Sequence, residues 1–302
     1  MGRVFSGLID GLQDRIRPIR SQLFPALVLL ELEDGALQGQ VQRGNRTEPV
    51  TLDVPLPPLT CRKGMPLEKE PLGDLIGDLL LRDNLLDGYL LVALPPSAVQ
   101  WRVVAWPFEE MPDNPVEALR QVDPDLRFPF PLEEATLDLQ PLPGRPGEPA
   151  RMLLAAAPTA LVDAWVDVFN LAGAQLERLA PAQVCHYLAL LPLLAEAEDD
   201  NLIAVLDPRD GCCRLLVLRA GLPVFERVLP IDVEPLRLEL ERCLAFLQRR
   251  DPQARRLRLL LTAPFHLPPG LEGDLGITPE FISFEPYGSL VLKGLAVQES
   301  RR

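Results

Sequence analysis

Residues 201–230 constrain the fold most. An apolar run at 202–206 meets an acidic turn, Asp207-Pro208-Arg209-Asp210-Gly211. A second apolar run at 215–218 follows, then a tight turn at Ala220-Gly221 and a third run ending in Phe225-Glu226-Arg227. Runs this short, bounded by Gly, Pro and Asp, read as three strands joined by turns. Pro235 then suits the first turn of a helix, along which Leu236, Leu240, Cys243, Leu244 and Leu247 recur every three or four residues. Glu234 and Glu239 lie near its start and Arg249 and Arg250 at its end, as the helix dipole favours. A strand at 257–261 comes next, then a loop at 262–270, a short helix at 271–275 and a last strand at 281–284.

The first half alternates in the same way. Strands are expected at 23–32 and 37–43 around the turn Glu33-Asp34-Gly35, then a helix at 72–86 and a buried strand at 89–94. Short strands at 103–106 and 135–139 flank a helix at 114–121 and an extended Phe128-Pro129-Phe130-Pro131 segment. A strand at 152–157 leads to a helix at 160–172, with Thr159 as its expected N-cap and Gly173 as its stop. A strand at 176–179 and an apolar helix at 184–194 complete this half, and the polar segment 196–201 reads as a hinge. Strands alternating with helices argue for α/β layers, and no fixed-period repeat is present.

The 302 residues suffice for two cores, and 47% hydrophobic with 24% charged residues is an ordinary globular balance. The 33 prolines cluster at 55–58, 124–131 and 141–149, marking rigid connections. A formal charge of −13 repels a phosphate backbone and argues against nucleic-acid binding. Five cysteines without metal-site spacing fit a reducing compartment, and two histidines leave little material for zinc or Ser-His chemistry. Cys212 and Cys213 read as small core residues, His186 as a core histidine, and Trp101, Trp106 and Trp165 as packing residues. His266 lies in a Pro-rich loop open to partners. No apolar run approaches the roughly 18 residues of a spanning helix, and no signal-peptide pattern opens the chain, so a cytosolic protein is expected. Two readings are open for residues 3–20, whose apolar stripe ends in Arg15, Arg17 and Arg20: a helix packed on its own domain, or one lying on an anionic membrane.

Four stretches, in this order and spacing, resemble the PilM family, actin-like proteins of type IV pilus assembly related to FtsA. They are Phe128-Pro-Phe-Pro-Leu-Glu-Glu-Ala, residues 153–173, Val224-Phe-Glu-Arg, and Glu239-Leu-Glu-Arg-Cys-Leu-Ala-Phe. The resemblance spans about residues 23–297 and implies a two-lobed α/β fold of the actin-like, ribonuclease H-like class. Residues 1–22 would be the amphipathic helix and 23–200 the first lobe, with a small α+β subdomain inserted at about 101–173. Residues 201–302 would form a reduced second lobe.

The departures fall on the family's nucleotide site. Where relatives carry Asp-x-Gly-x-x-x-x-Lys between strands one and two, this chain has Glu31, Glu33 and Gln38. A carboxylate in place of glycine adds charge where phosphates would lie, and two like charges roughly 4 Å apart at an effective dielectric of about 20 repel by about 4 kcal/mol. Asp207 is kept, but Arg209 fills a glycine position that lets backbone approach phosphate. The adenosine turn reads Ala263-Pro264, and only residues 231–235 stand where relatives insert a helical clamp. Glu31, Asp207 and Glu239 would thus be a vestigial nucleotide site, with ATP and Mg implied only by the family and no other cofactor or metal expected. Asp207 also reads as a plain turn-former, and Glu239 with Arg242 as a surface pair.

The resemblance implies a scaffold on the inner face of the cytoplasmic membrane that captures the cytosolic tail of a PilN-like bitopic protein and meets other platform or motor proteins. The expected groove lies between the first sheet and the insert, with Leu94, Val103, Phe128, Phe130 and Leu132 as wall candidates; core packing is the alternative for each. The negative charge favours a basic partner segment. The alternatives are an active ATP-driven switch and the cytoplasmic domain of a type II secretion platform protein, which would ordinarily continue into a membrane span. Sugar-kinase chemistry would need intact phosphate loops.

Overall fold

The computed structural model describes residues 25–43, 49–108, 110, 112–144, 149–194, 201–209, 212–250, 256–263 and 279–300. The stripe at 3–20, the polar segment 196–200, the turn residues 210–211, the short helix at 271–275, and Pro264 and His266 lie outside them.

Two five-stranded sheets share one topology. In the first, β1 (Leu27–Leu32), β2 (Ala36–Gln42) and β3 (Val50–Pro55) form an antiparallel meander. Helix α1 (Lys69–Arg82) then leads to β6 (Tyr89–Leu94), parallel to β1, and β10 (Gln175–Pro181) lies parallel to β6. The sheet order is β10-β6-β1-β2-β3. The second sheet repeats this with the meander β11 (Asn201–Arg209), β12 (Cys212–Arg219) and β13 (Leu222–Pro230). Helix α5 (Val233–Arg250) follows, then β14 (Arg256–Leu261) and β15 (Glu280–Phe281), both parallel additions in the order β13-β12-β11-β14-β15. Only residues 231–232 separate β13 from α5.

The central strands β1, β6, β11 and β12 read as nearly unbroken apolar runs because both faces are covered. On one face of the first sheet, Val28, Leu30, Leu90 and Val92 join Leu72, Ile76 and Leu80 of α1 and Trp165 and Phe169 of α3 (Thr159–Leu171). On the other, Leu29, Leu91 and Ala93 meet Cys185 of α4 (Ala182–Leu194) and Val291 and Leu295 of α6 (Leu290–Ser300). The second sheet turns Ile203, Val205, Leu216 and Leu218 toward the cluster that holds Tyr187 and Leu190 of α4. Its opposite face sets Leu202, Ala204 and Leu215 against Leu236, Leu240 and Leu247 of α5. Helix α4 therefore runs between the sheets, which is why ten of its residues are buried and why it shows no one-sided stripe.

Between β6 and α3 the chain builds a third sheet of β7 (Gln100–Ala105), β8 (Ala135–Pro141) and β9 (Arg151–Pro158) in the order β7-β9-β8. Helix α2 (Pro115–Val122), capped by Asn114 accepting from the Glu117 N–H at 3.2 Å, packs Leu119 against Trp106 and Leu154. The sequence put the insert at about 101–173, whereas the three-stranded sheet ends at Pro158 and α3 packs on the first lobe. Thr159 does not cap α3: it is the first helical residue, with its Oγ1 3.3 Å from Thr136 Oγ1. The last strand is only Glu280–Phe281, shorter than expected. Strand β3, helix α6 and a small hairpin of β4 (Cys61–Arg62) and β5 (Met65–Pro66) have no counterpart in the sequence reading.

Candidate functional site: an interlobe clasp and a groove

Alternation along β1 turns Leu29 and Glu31 to the same face, so Glu31 points from the strand end toward the start of α6. There Ser289 Oγ donates to Glu31 Oε2 at 2.6 Å and accepts from the Leu292 N–H at 3.1 Å, capping the helix. Glu31 is 1% exposed. Such burial of a carboxylate requires a cation, and the second lobe supplies two. Arg209, at the end of β11, places Nη2 3.0 Å from Glu31 Oε1, although off the line of a hydrogen bond, and Nε 2.9 Å from Asp207 Oδ2. Its Nη1 lies 3.3 Å from Gln38 Oε1 and 3.8 Å from Glu33 Oε1. Arg214, opposite Asp207 on β12, reaches Glu33 Oε1 at 3.0 Å and Glu31 Oε1 at 3.6 Å. Asp207 accepts from Thr262 Oγ1 at 2.6 Å and lies 3.4 Å from Nε2 of His186 on α4.

Two carboxylates of the first lobe, Glu31 and Glu33, thus face two guanidiniums of the second, of which Arg209 also binds Asp207 of its own lobe, and the group is largely out of solvent. Burial alone would push the Asp207 carboxyl up, but the His186 imidazole 3.4 Å away, the Arg209 charge and the Thr262 hydroxyl hold it well below the usual carboxylate range. Burial raises Glu33, against the pull of Arg214 and Arg209. Burial disfavours the Arg209 cation, yet Glu31, Asp207 and Glu33 hold its proton more tightly than usual. The arrangement offers charge neutralisation and mechanical connection between lobes. Among the described residues no group of His, Cys, Asp and Glu has the arrangement of a metal site.

The structure brings Glu31 and Asp207 together and leaves Glu239 elsewhere, on α5, paired with Arg227 at 2.8 Å and Arg242 at 2.6 Å. Arg214, Ser289, Thr262 and His186 are the members of the cluster that sequence reasoning missed. His186 in an apolar helix next to an acidic strand end was the one available signal.

A cavity of about 540 Å³ opens between the insert and the first sheet. Its walls come from Thr136, Asp138 and Gln140 on β8, Ala155 and Ala157 on β9, and Leu94, Val99, Arg178 and Gln298. Among the described residues β8 pairs with β9 alone and β10 with β6 alone, so each has an edge without a strand partner there. The alanines make the room, since any larger side chain at 155 or 157 would project into it. Burial raises the Asp138 carboxyl against the opposing charge of Arg178, and Gln298 Oε1 is buried without a hydrogen-bond partner.

Of the five wall residues expected from sequence, only Leu94 lines the cavity. Val103 is half-buried against the main core, Phe128 packs in the insert's own core and stacks on Phe130 at 5.8 Å, and Leu132 is 8% exposed. For those four, packing accounts for the side chain. The missed signal was polar alternation at Thr136, Asp138 and Gln140 opposite a run of alanines.

No family model and no curated protein sequence matches the chain. Solved structures do. The chain is similar to one from a PilM-PilN type IV pilus biogenesis complex, with a TM-score of 0.68 and 23% identity over 90% of this chain and 98% of that one. The fold is actin-like. A Bacteroides thetaiotaomicron protein with an actin-like ATPase fold and unknown function superposes at a TM-score of 0.53 with 8% identity, covering 91% of this chain and 97% of that one. The cytoplasmic domain of EpsL, an inner-membrane component of the Vibrio cholerae type II secretion system, does so at 0.51 with 12% identity, covering 92% and 96%. The duplicated five-stranded sheets are the two lobes of this actin-like fold, and the clasp joins the turn between β1 and β2 of one to the end of β11 and the start of β12 of the other. Among the described residues no helix is long and apolar enough to cross a membrane.

Proposed function

We propose that the protein is a docking component of a type IV pilus or related secretion platform, holding an extended segment of a PilN-like membrane protein in the groove between β8 and β10. The observation that carries this is the cavity of about 540 Å³ lined by two strands that each have an edge without a strand partner among the described residues. An extended peptide can add its backbone to such an edge and set alternate side chains into the space above Ala155 and Ala157. The likeness to a chain solved in a PilM-PilN complex supports the partner class, and the net charge of −13 favours a basic tail. This docking role would place the protein at the inner face of the cytoplasmic membrane.

The same reading makes the protein a pseudo-ATPase. Guanidiniums bonded to Glu31, Glu33 and Asp207 occupy the space between the two turns, so a triphosphate would have to displace them and then face three carboxylates. The test is co-purification with the cytosolic tail of a PilN-like protein. Wild type retains the tail, whereas Ala157→Leu, which fills the groove, loses it while keeping its fold by circular dichroism. Equal retention by both would overturn the groove.

A further inference from the structure

The clasp and the groove share one helical turn. Gln183, at the start of α4, donates through Nε2 to the Pro96 carbonyl at 3.1 Å and the Val99 carbonyl at 3.3 Å, and Val99 lines the groove. Three residues on, His186 lies 3.4 Å from Asp207 of the clasp. One residue further, the Tyr187 hydroxyl donates to the Gly221 carbonyl at 3.1 Å, in the turn between β12 and β13. A second connection runs over the surface, where Trp101 Nε1 on β7 of the insert donates to Glu226 on β13 of the second lobe. Both routes tie a wall or border of the groove to an element whose position Arg209 and Arg214 fix by crossing the cleft.

Charged side chains fill the cleft between the two lobes. Its occupants are thus part of the chain itself, with Arg209 of the second lobe embedded among Glu31, Glu33 and Gln38 of the first. We propose that the clasp takes the place of a bound nucleotide as the element that fixes groove shape, so that capture of the partner tail depends on the interlobe ion network and not on ATP. The inference rests on the groove reading above. It adds that Arg209, Gln183 and Trp101 are positioning residues for a ligand that Arg209 never touches. A closed cleft spares the tail the cost of ordering the site, the advantage of preorganisation.

The test uses E31Q/R209Q, which removes one charge of each sign and leaves Arg214 with Glu33 and His186 with Asp207. Hydrogen exchange in the free protein reads the lobes, and calorimetric titration of a PilN-like tail peptide reads the groove. Exchange at β7 and β13 amides is expected to rise about tenfold and tail affinity to fall about tenfold. Trp101→Phe, which breaks only the surface connection, should weaken the tail and leave β1 and β11 protected. If E31Q/R209Q does not fold, Arg209→Lys, which keeps charge but cannot span three acceptors, carries the same expectation. Folded variants that exchange and bind as wild type does would overturn the coupling. Wild type that fails to bind any tail would overturn the groove reading instead, with the exchange arm still reporting on the clasp.

Discussion

Arg209 makes the sharpest claim at the scale of single residues. Arg209→Ala would leave Glu31 and Asp207 buried with one cation fewer, and breaking a buried pair by removing one partner costs about 3–5 kcal/mol; urea unfolding measures it. The pH dependence follows from the shifts. Asp207 titrates below its unfolded value, so its contribution is full above the ordinary aspartate range and is lost as pH falls through the folded pKa. Glu33 titrates above its unfolded value, so its contribution is present at low pH and lost as pH rises through the folded pKa. Stability followed from neutral to acid pH should therefore fall at the acid end, and Asp207→Asn should flatten that limb. Burial pushes the Cys61 and Cys213 thiols up to about 12, so these two cysteines should resist iodoacetamide in the native protein at mildly alkaline pH and be labelled only once it unfolds, as peptide mapping by mass spectrometry would read. The sequence showed Arg209 as a lost glycine; it could not show the guanidinium spanning two lobes, because that contact joins residues 178 positions apart.

Packing between elements carries a second prediction. A Cβ on Gly294 of α6 would lie 2.0 Å from the Cys185 carbonyl of α4, so these helices meet backbone to backbone. Gly294→Ala must push them apart, an overpacking change expected to cost about 1–3 kcal/mol and lower Tm by several degrees. Thermal unfolding followed by circular dichroism reads it. Most elements were legible in sequence where a period-two or helical pattern met a clear stop, as at Tyr89–Leu94 and at Gly173 with its positive φ of 67°. Helix α6 was not, since Leu290, Val291, Leu292 and Leu295 are all buried and leave no single stripe. Strand β3 offered only Leu52 buried among exposed neighbours and ends at a proline. A cavity does open between sheet and insert, where the sequence reading expected a groove, but four of the five expected wall residues pack elsewhere. Aromatic side chains draw attention in a sequence, while a cavity is made by the small ones.

For the whole molecule, two sheets of one topology close on a cleft that their own arginines fill. On the proposed reading, an ion network within the chain stands where a bound nucleotide would otherwise link the lobes. Calorimetric titration of the intact protein with MgATP tests this most directly. The account predicts no binding up to millimolar nucleotide. Micromolar binding that Arg209→Lys leaves intact and Asp207→Asn abolishes would contradict it.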